Sequence, residues 1–233
     1  MKTEPTKILF DTALHHDFLA EWIPSLTQVK IKPDTTFYDS VNHLYYIAGR
    51  RVPSVTQIIR AILGDATWRA SDWYMTRGAA VHAAAAMVAM GKRFDFDPQI
   101  AGQIEACKKF FKENKVSLFQ VITVESQLYS APHQFGGTVD MVCVFRDRET
   151  IVDWKSSLSP VAQLQVGGYS VLWPSATHGL VVALGEDGIP RLSDHFKLDQ
   201  PRREFLALRS AYAVRQRLGL ESATKTEGGN DGN

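Results

Sequence analysis

Cysteine is nearly missing from this chain: only Cys107 and Cys143 occur in 233 residues, with no CxxC spacing and no Cys/His pairing. That leaves no ligand set for a disulfide framework, a structural zinc site or a four-cysteine iron–sulfur cluster. Cys143 alternates with apolar neighbours in a strand, and Cys107 falls on the apolar face of a helix. Both read as small core thiols of a reducing compartment. Excess charge is missing too, since 26 Lys and Arg stand against 25 Asp and Glu, for a net charge of +1. With no global basic field, any nucleic-acid partner must be held by a local positive stripe. This weakens a passive coating role and leaves an enzyme open. No run approaches the ~18 apolar residues of a membrane span, and "MKTEPTKILFDTALHH" contains no apolar leader. A cytoplasmic protein with no membrane partner is the simplest expectation. No internal repeat is visible.

What is present is ordinary for a globular protein, with 45% hydrophobic and 22% charged residues, so the chain can bury a core of its own. A single domain over 1–220 is expected, with 221–233 a disordered tail lacking any large apolar residue. Aromatic-rich runs around a turn at Asp39–Asn42, and a second turn at "AGRR", predict a hairpin. "VPSVTQIIRAILG" predicts a helix capped by Ser54 or Thr56 and stopped by Gly64, completing a unit over 35–64. A core over 72–185 follows. It opens with an alanine-rich helix ending at Gly91 and a second helix from Asp97-Pro98, with Ile100, Ile104, Cys107 and Phe111 on one face. Strands are expected near 119–129, 137–146 and 150–155. Next come a helix weakened by Gly167-Gly168, the strand "GLVVALG", and a basic helix over 200–219 opening on Pro201. The order predicts a mixed α/β or α+β fold.

The chemistry concentrates in "QFGGTVDMVCVFRDRETIVDWKSS" (134–157). Strand interiors avoid charge unless it is paired or bound. Yet Asp140 sits inside one run, and Asp153 and Lys155 share a face at the end of the next. A hairpin would bring Asp140 beside that face, and Glu125 is a further acid in mid-strand. Converging carboxylates repel in a low-dielectric site, and a divalent cation relieves the repulsion. All-oxygen ligation suits Mg2+ or Mn2+ rather than zinc. A neighbouring lysine can orient or help deprotonate water and stabilise charge on a phosphoryl oxygen, which points to phosphodiester hydrolysis. The plain alternative is a pair of surface acids with a lysine in a solvated hairpin.

The series Gly78-x3-His82, Glu125, Gly137-x2-Asp140, Asp153-x-Lys155 and Gln165-x3-Tyr169 resembles the PD-(D/E)XK nuclease superfamily, and within it the RecB-like exonuclease branch. Upstream, "NHLYYIAGRRVPSVTQII" is similar to a stretch of phage-encoded and mitochondrial members of that branch, including mitochondrial genome maintenance exonucleases. The resemblance implies a restriction-endonuclease-like mixed sheet core flanked by helices, with one or two Mg2+ or Mn2+ ions. It implies Asp140 and Asp153 as central ligands, helped by the backbone carbonyl of Trp154, with His82 as a further ligand. Glu125 would complete the site directly or through water, and Lys155 would be the catalytic lysine. Gln165 and Tyr169 would steady the lysine side and contact the DNA backbone. Without the resemblance, His82 reads as a packing residue, Glu125 as an exposed strand acid, and Gln165 and Tyr169 as ordinary helix residues.

DNA contacts have two readings each. Ser54 and Thr56 either bind phosphate at a helix start or cap that helix. Trp68, Arg69, Trp73 and Arg77 suit stacking on single-stranded bases, or belong in part to the core. Arg202, Arg203, Arg209, Arg215 and Arg217 form a solvated face or follow a DNA backbone. The expected function is a phage-encoded, metal-dependent exonuclease acting on a single-stranded or duplex DNA end, alongside a strand-annealing or recombination protein. The alternatives are a structure-specific or nicking endonuclease on the same fold, an RNA substrate, or a non-cleaving DNA-end-binding protein.

Overall fold

The computed structural model describes residues 36–40, 42–64 and 72–220, with the backbone alone for 72–76. Trp68, Arg69, the Trp73 side chain and the tail 221–233 lie outside the described residues.

The aromatic-rich start forms a small antiparallel sheet of β1 (Thr36–Asp39), β2 (Leu44–Ile47) and β3 (Arg50–Val52). Asp39 makes the first turn, its carboxylate accepting from the Asn42 backbone at 3.1 Å and the Asn42 side chain at 2.7 Å. Helix α1 (Val55–Leu63) begins at Ser54, whose hydroxyl accepts from Gln57 N at 3.1 Å while Gln57 Oε1 accepts from Ser54 N at 3.0 Å. This reciprocal box satisfies two otherwise orphaned donors. The helix stops at Gly64, as expected.

Helix α2 (Asp72–Ala89) is followed by a turn at Gly91, where φ is +66°. Asp97 then caps a 3-10 turn over Pro98–Ile100, which leads into α3 (Ala101–Glu113). Ile100, Ile104, Cys107 and Phe111 are all buried, as their helical spacing requires. The main sheet runs through β4 (Val121–Ser130), β5 (Phe135–Phe145) and β6 (Arg148–Lys155) as an antiparallel meander. Helix α4 (Pro160–Leu172) crosses over, and β7 (His178–Leu184) returns parallel to β6. Two short strands, β8 (Pro190–Leu192) and β9 (Phe196–Lys197), pair antiparallel with β7. At three and two residues they are too short to show alternation in the sequence. Helix α5 (Asp199–Arg217) closes the chain, starting two residues before Pro201.

The sheet is therefore mixed, with β4 at its edge and helices on both faces. One face packs on α1, α4 and α5 through Ile58, Val166 and Phe205, the other on α2 and α3 through Ala85, Cys107 and Phe110. Gly167 and Gly168 do not interrupt α4. A Cβ on Gly167 would meet the Pro201 backbone of α5, and one on Gly168 would meet Val55 and Phe205. The pair is the notch that lets α1 and α5 approach.

Candidate metal centre

The centre begins with a break in strand regularity. Strict alternation would put Val139 and Met141 on one face of β5. Instead Val139 and Val142 pack with the α1, α4 and α5 layer, while Met141 and Cys143 pack with α2 and α3. The switch falls at Asp140. Pairing of β5 with β6 reaches only Met141–Val152, one step short of Asp140. The Asp140 carboxylate takes over there, its Oδ2 accepting from Trp154 N at 2.8 Å. On the other side, β4 pairs Val124 with Met141 and Ser126 with Val139, so Glu125 and Asp140 fall opposite each other between those pairs. Glu125 has φ +46°, a left-handed conformation that L residues seldom adopt inside a strand. Such strain persists where surrounding structure over-determines it, and it concentrates at functional sites.

Helix α2 delivers His82 to this point, with Nδ1 at 3.2 Å from Asp140 Oδ1. Among the described residues, one donor atom each from His82, Glu125 and Asp140 lies within 4.8 Å of the others. Glu125 Oε1 is buried with no hydrogen-bond partner, which is costly for a carboxylate unless something else satisfies it. Burial, and then the Asp140 charge, push the Glu125 carboxyl up to about 7. Burial disfavours charge on His82, but the Asp140 carboxylate outweighs it and raises the ring above its usual value. Burial likewise opposes ionised Asp140, yet His82, Lys155 and the Trp154 N–H hold it below the usual carboxylate range. An orphaned acid, an imidazole and a pinned carboxylate fit a divalent cation.

Asp153 and Lys155 stand beside this trio as a pair of their own. Lys155 Nζ lies 2.7 Å from Asp153 Oδ2, and Asp153 is fully buried while the lysine is 19% exposed. The ammonium meets Oδ2 as an ion pair, while Oδ1 is buried with no hydrogen-bond partner. Burial pushes Asp153 up to about 6 although Lys155 pulls the other way. Burial also works against the ammonium, but Asp153 and Asp140 together raise Lys155, which stays charged. Lys155 Nζ donates to the Trp154 carbonyl at 3.3 Å, so this backbone oxygen faces the lysine. Gln165 Nε2 donates to the Tyr169 hydroxyl at 2.6 Å, both side chains are buried, and Gln165 Oε1 lacks a partner. Burial, then Asp153 and Asp140, raise the Tyr169 phenol far above its usual value.

The expected DNA-contacting residues are more dispersed. Ser54 serves as the α1 cap, and Thr56 is half-buried in the first turn of that helix. Arg77 pairs with Glu186 at 2.5 Å and donates to Gln99 O at 3.3 Å, tying α2 to the loop after β7. In α5, Arg202 holds Ser170 Oγ and Ala176 O, Arg209 holds His133 O and Gln134 O, and Arg215 holds Ala61 O and Leu220 O. These three arginines fasten α5 to the rest of the chain. The sequence reading missed how the first hairpin covers the acid strands. Tyr45 Oη lies 2.7 Å from Thr138 Oγ1, the Tyr38 ring is tilted against that of Tyr45 at 4.8 Å, and Gly136 N donates to Pro53 O. After burial, the Glu125 charge is the next cause that raises the Tyr38 phenol. The tyrosines were visible as strand formers, but nothing local in the sequence paired them with β4 and β5. No protein-family model matches the chain, and no curated protein matches it closely enough to count as a relative.

Proposed function

We propose that the chain is a metal-dependent DNA exonuclease of the RecB-like branch of the PD-(D/E)XK superfamily, built on a restriction-endonuclease-like core and serving phage recombination or replication. The observation that supports this reading most is the convergence of His82, Glu125 and Asp140 within 4.8 Å, with the Lys155 ammonium on the next strand. These three residues would hold Mg2+ or Mn2+, and the imidazole favours Mn2+ of the two. Such an ion supplies Lewis-acid stabilisation of charge on the phosphodiester when bound.

The chain's own residues do the rest. Asp140 is kept ionised and fixed by Trp154 N–H, so its other oxygen, which meets His82 Nδ1, is aimed before any ligand arrives. Asp153 keeps Lys155 protonated and in place. A charged Nζ acts by orienting water and neutralising a phosphoryl oxygen, and not as a base. Gln165 and Tyr169 back the lysine side.

The test uses end-labelled linear DNA, single- and double-stranded, beside closed circles, with Mg2+, Mn2+ or EDTA. Metal-dependent loss of linear DNA alone is expected, falling about 100- to 1,000-fold, as on losing a principal charge-stabilising group, in Lys155→Ala and Asp140→Asn. Cutting of circles would replace the exonuclease with an endonuclease. Folded wild-type protein that cuts no DNA with either metal would leave an RNA target or a binding role.

A further inference from the structure

The loop after α2 and the exposed flank of α3 enclose an open groove of about 720 Å³, lined by Lys92, Arg93, Phe94, Asp95, Phe96 and Lys108. Phe94 anchors the loop, packing on the cluster of Ala84, Ile100 and Ile104. Its ring lies 5.7 Å from that of Phe96, which is 39% exposed. Lys92, Arg93 and Lys108 are exposed around these rings, and Asp95 is the one acid in the lining. Lys108 continues into Lys112, at i+4 on the exposed face of α3. In a molecule of net charge +1, this is a local concentration of cations beside a flat apolar ring.

We infer that the groove binds single-stranded nucleic acid, with phosphates on Lys92, Arg93 and Lys108 and a base stacked on Phe96. An apolar ligand gives no reason for three cations, and inorganic phosphate gives none for an exposed phenyl ring. A duplex offers phosphates but hides the base faces. Single strands offer both, and grooves that combine positive charge with stacking rings are their usual receptors. The choice of a nucleic acid over another polyanion carrying flat rings rests on the nuclease reading. Val88, in the groove wall, lies six residues beyond His82 on α2, about 9 Å along the helix axis, so one helix carries both the groove wall and a residue of the metal centre.

The experiment measures fluorescence anisotropy of a labelled oligothymidylate and of a duplex, in EDTA so that nothing is cut, over a range of salt. The triple variant K92E/R93E/K108E should bind the single strand at least tenfold more weakly, with the log–log salt slope reduced by about 2. Phe96→Ala should weaken binding about tenfold and leave the slope unchanged. Lys197→Ala, exposed on β9 and outside both the groove and the metal centre, should bind as the wild type does. All substituted groove residues are exposed, and circular dichroism confirms folding. The inference is overturned if wild type binds no single strand, if the groove variants bind like wild type, or if duplex binds as tightly and ignores Phe96→Ala. Groove-dependent binding by a protein that cuts nothing would uphold the groove and sink the nuclease. Cutting by wild type with normal binding by the groove variants would do the reverse.

Discussion

At the scale of single residues, two acids are held in states that cost stability unless a cation or ammonium meets them. Burial pushes the Glu125 carboxyl up to about 7, so a proton competes with any cation for its oxygens below that value. Binding of Mn2+ should therefore strengthen as pH rises through 7 and release a proton. Calorimetry at pH 6 and pH 8, in buffers of different ionisation enthalpy, reads both effects, and pH-independent binding would contradict the assignment of Glu125 as a ligand. Lys155 presents the converse case. Removing it leaves Asp153 buried and unpaired, and Lys155→Ala should cost about 3 kcal/mol in urea unfolding. Adding Asp153→Asn should return part of that loss, because the charge is removed with its partner. The Asp153–Lys155 face was legible from strand alternation. The turn of Asp140 away from that alternation, and the left-handed Glu125, were not, because both arise where the β5–β6 ladder ends beside a continuing β4–β5 ladder.

At the scale of elements, Gly167 and Gly168 set two influences against each other. Alanine is a better helix former than glycine by about 1 kcal/mol, so propensity alone makes Gly167→Ala stabilising. The added Cβ, however, points into the Pro201 backbone, which cannot rotate away. Overpacking of this kind costs about 1–3 kcal/mol and separates α4 from α5, so a net loss in melting temperature is expected. An unchanged or higher melting temperature would show that α5 shifts freely. The sequence marked these glycines as a weakness in a helix, since propensity is local and the helix that fills the notch lies over thirty residues downstream. The arginines of α5 carry the same lesson: a basic face reads as solvated or DNA-binding until the carbonyls it holds come into view. Regular elements with strong caps, such as α1 after Ser54 and the helix after Asp97, could be placed from sequence to within a residue or two.

At the scale of the molecule, the far end of the sheet holds an acid-sensitive contact. His195 shares a hydrogen bond with Thr150 at 2.9 Å and its ring lies 4.6 Å from that of His178. Burial, then the His178, Arg146 and Arg148 charges, push it down to about 4. The folded state thus refuses a proton that the unfolded chain accepts near 6.5. The stability this contributes is complete above 6.5 and drains away as pH falls towards 4. His195→Asn should flatten the stability profile between those values, read from urea midpoints at steps of pH; an unchanged slope would assign the acid sensitivity elsewhere. Layering and strand order follow from alternation and from the helix between β6 and β7, and so were within reach of the sequence. The packing of the first hairpin on β4 and β5 was not, since it joins residues some ninety positions apart through a tyrosine hydroxyl.

The outermost position of β4 gives the centre a second role. An edge strand is hydrogen-bonded along one side only and is the first part of a sheet to breathe. Glu125 stands on it, while His82 and Asp140 belong to a helix and an inner strand. A cation gripped by all three would stitch the hem of the sheet to its interior, so amide exchange along β4 becomes a gauge of occupancy, slowing when Mn2+ is added and quickening again in EDTA.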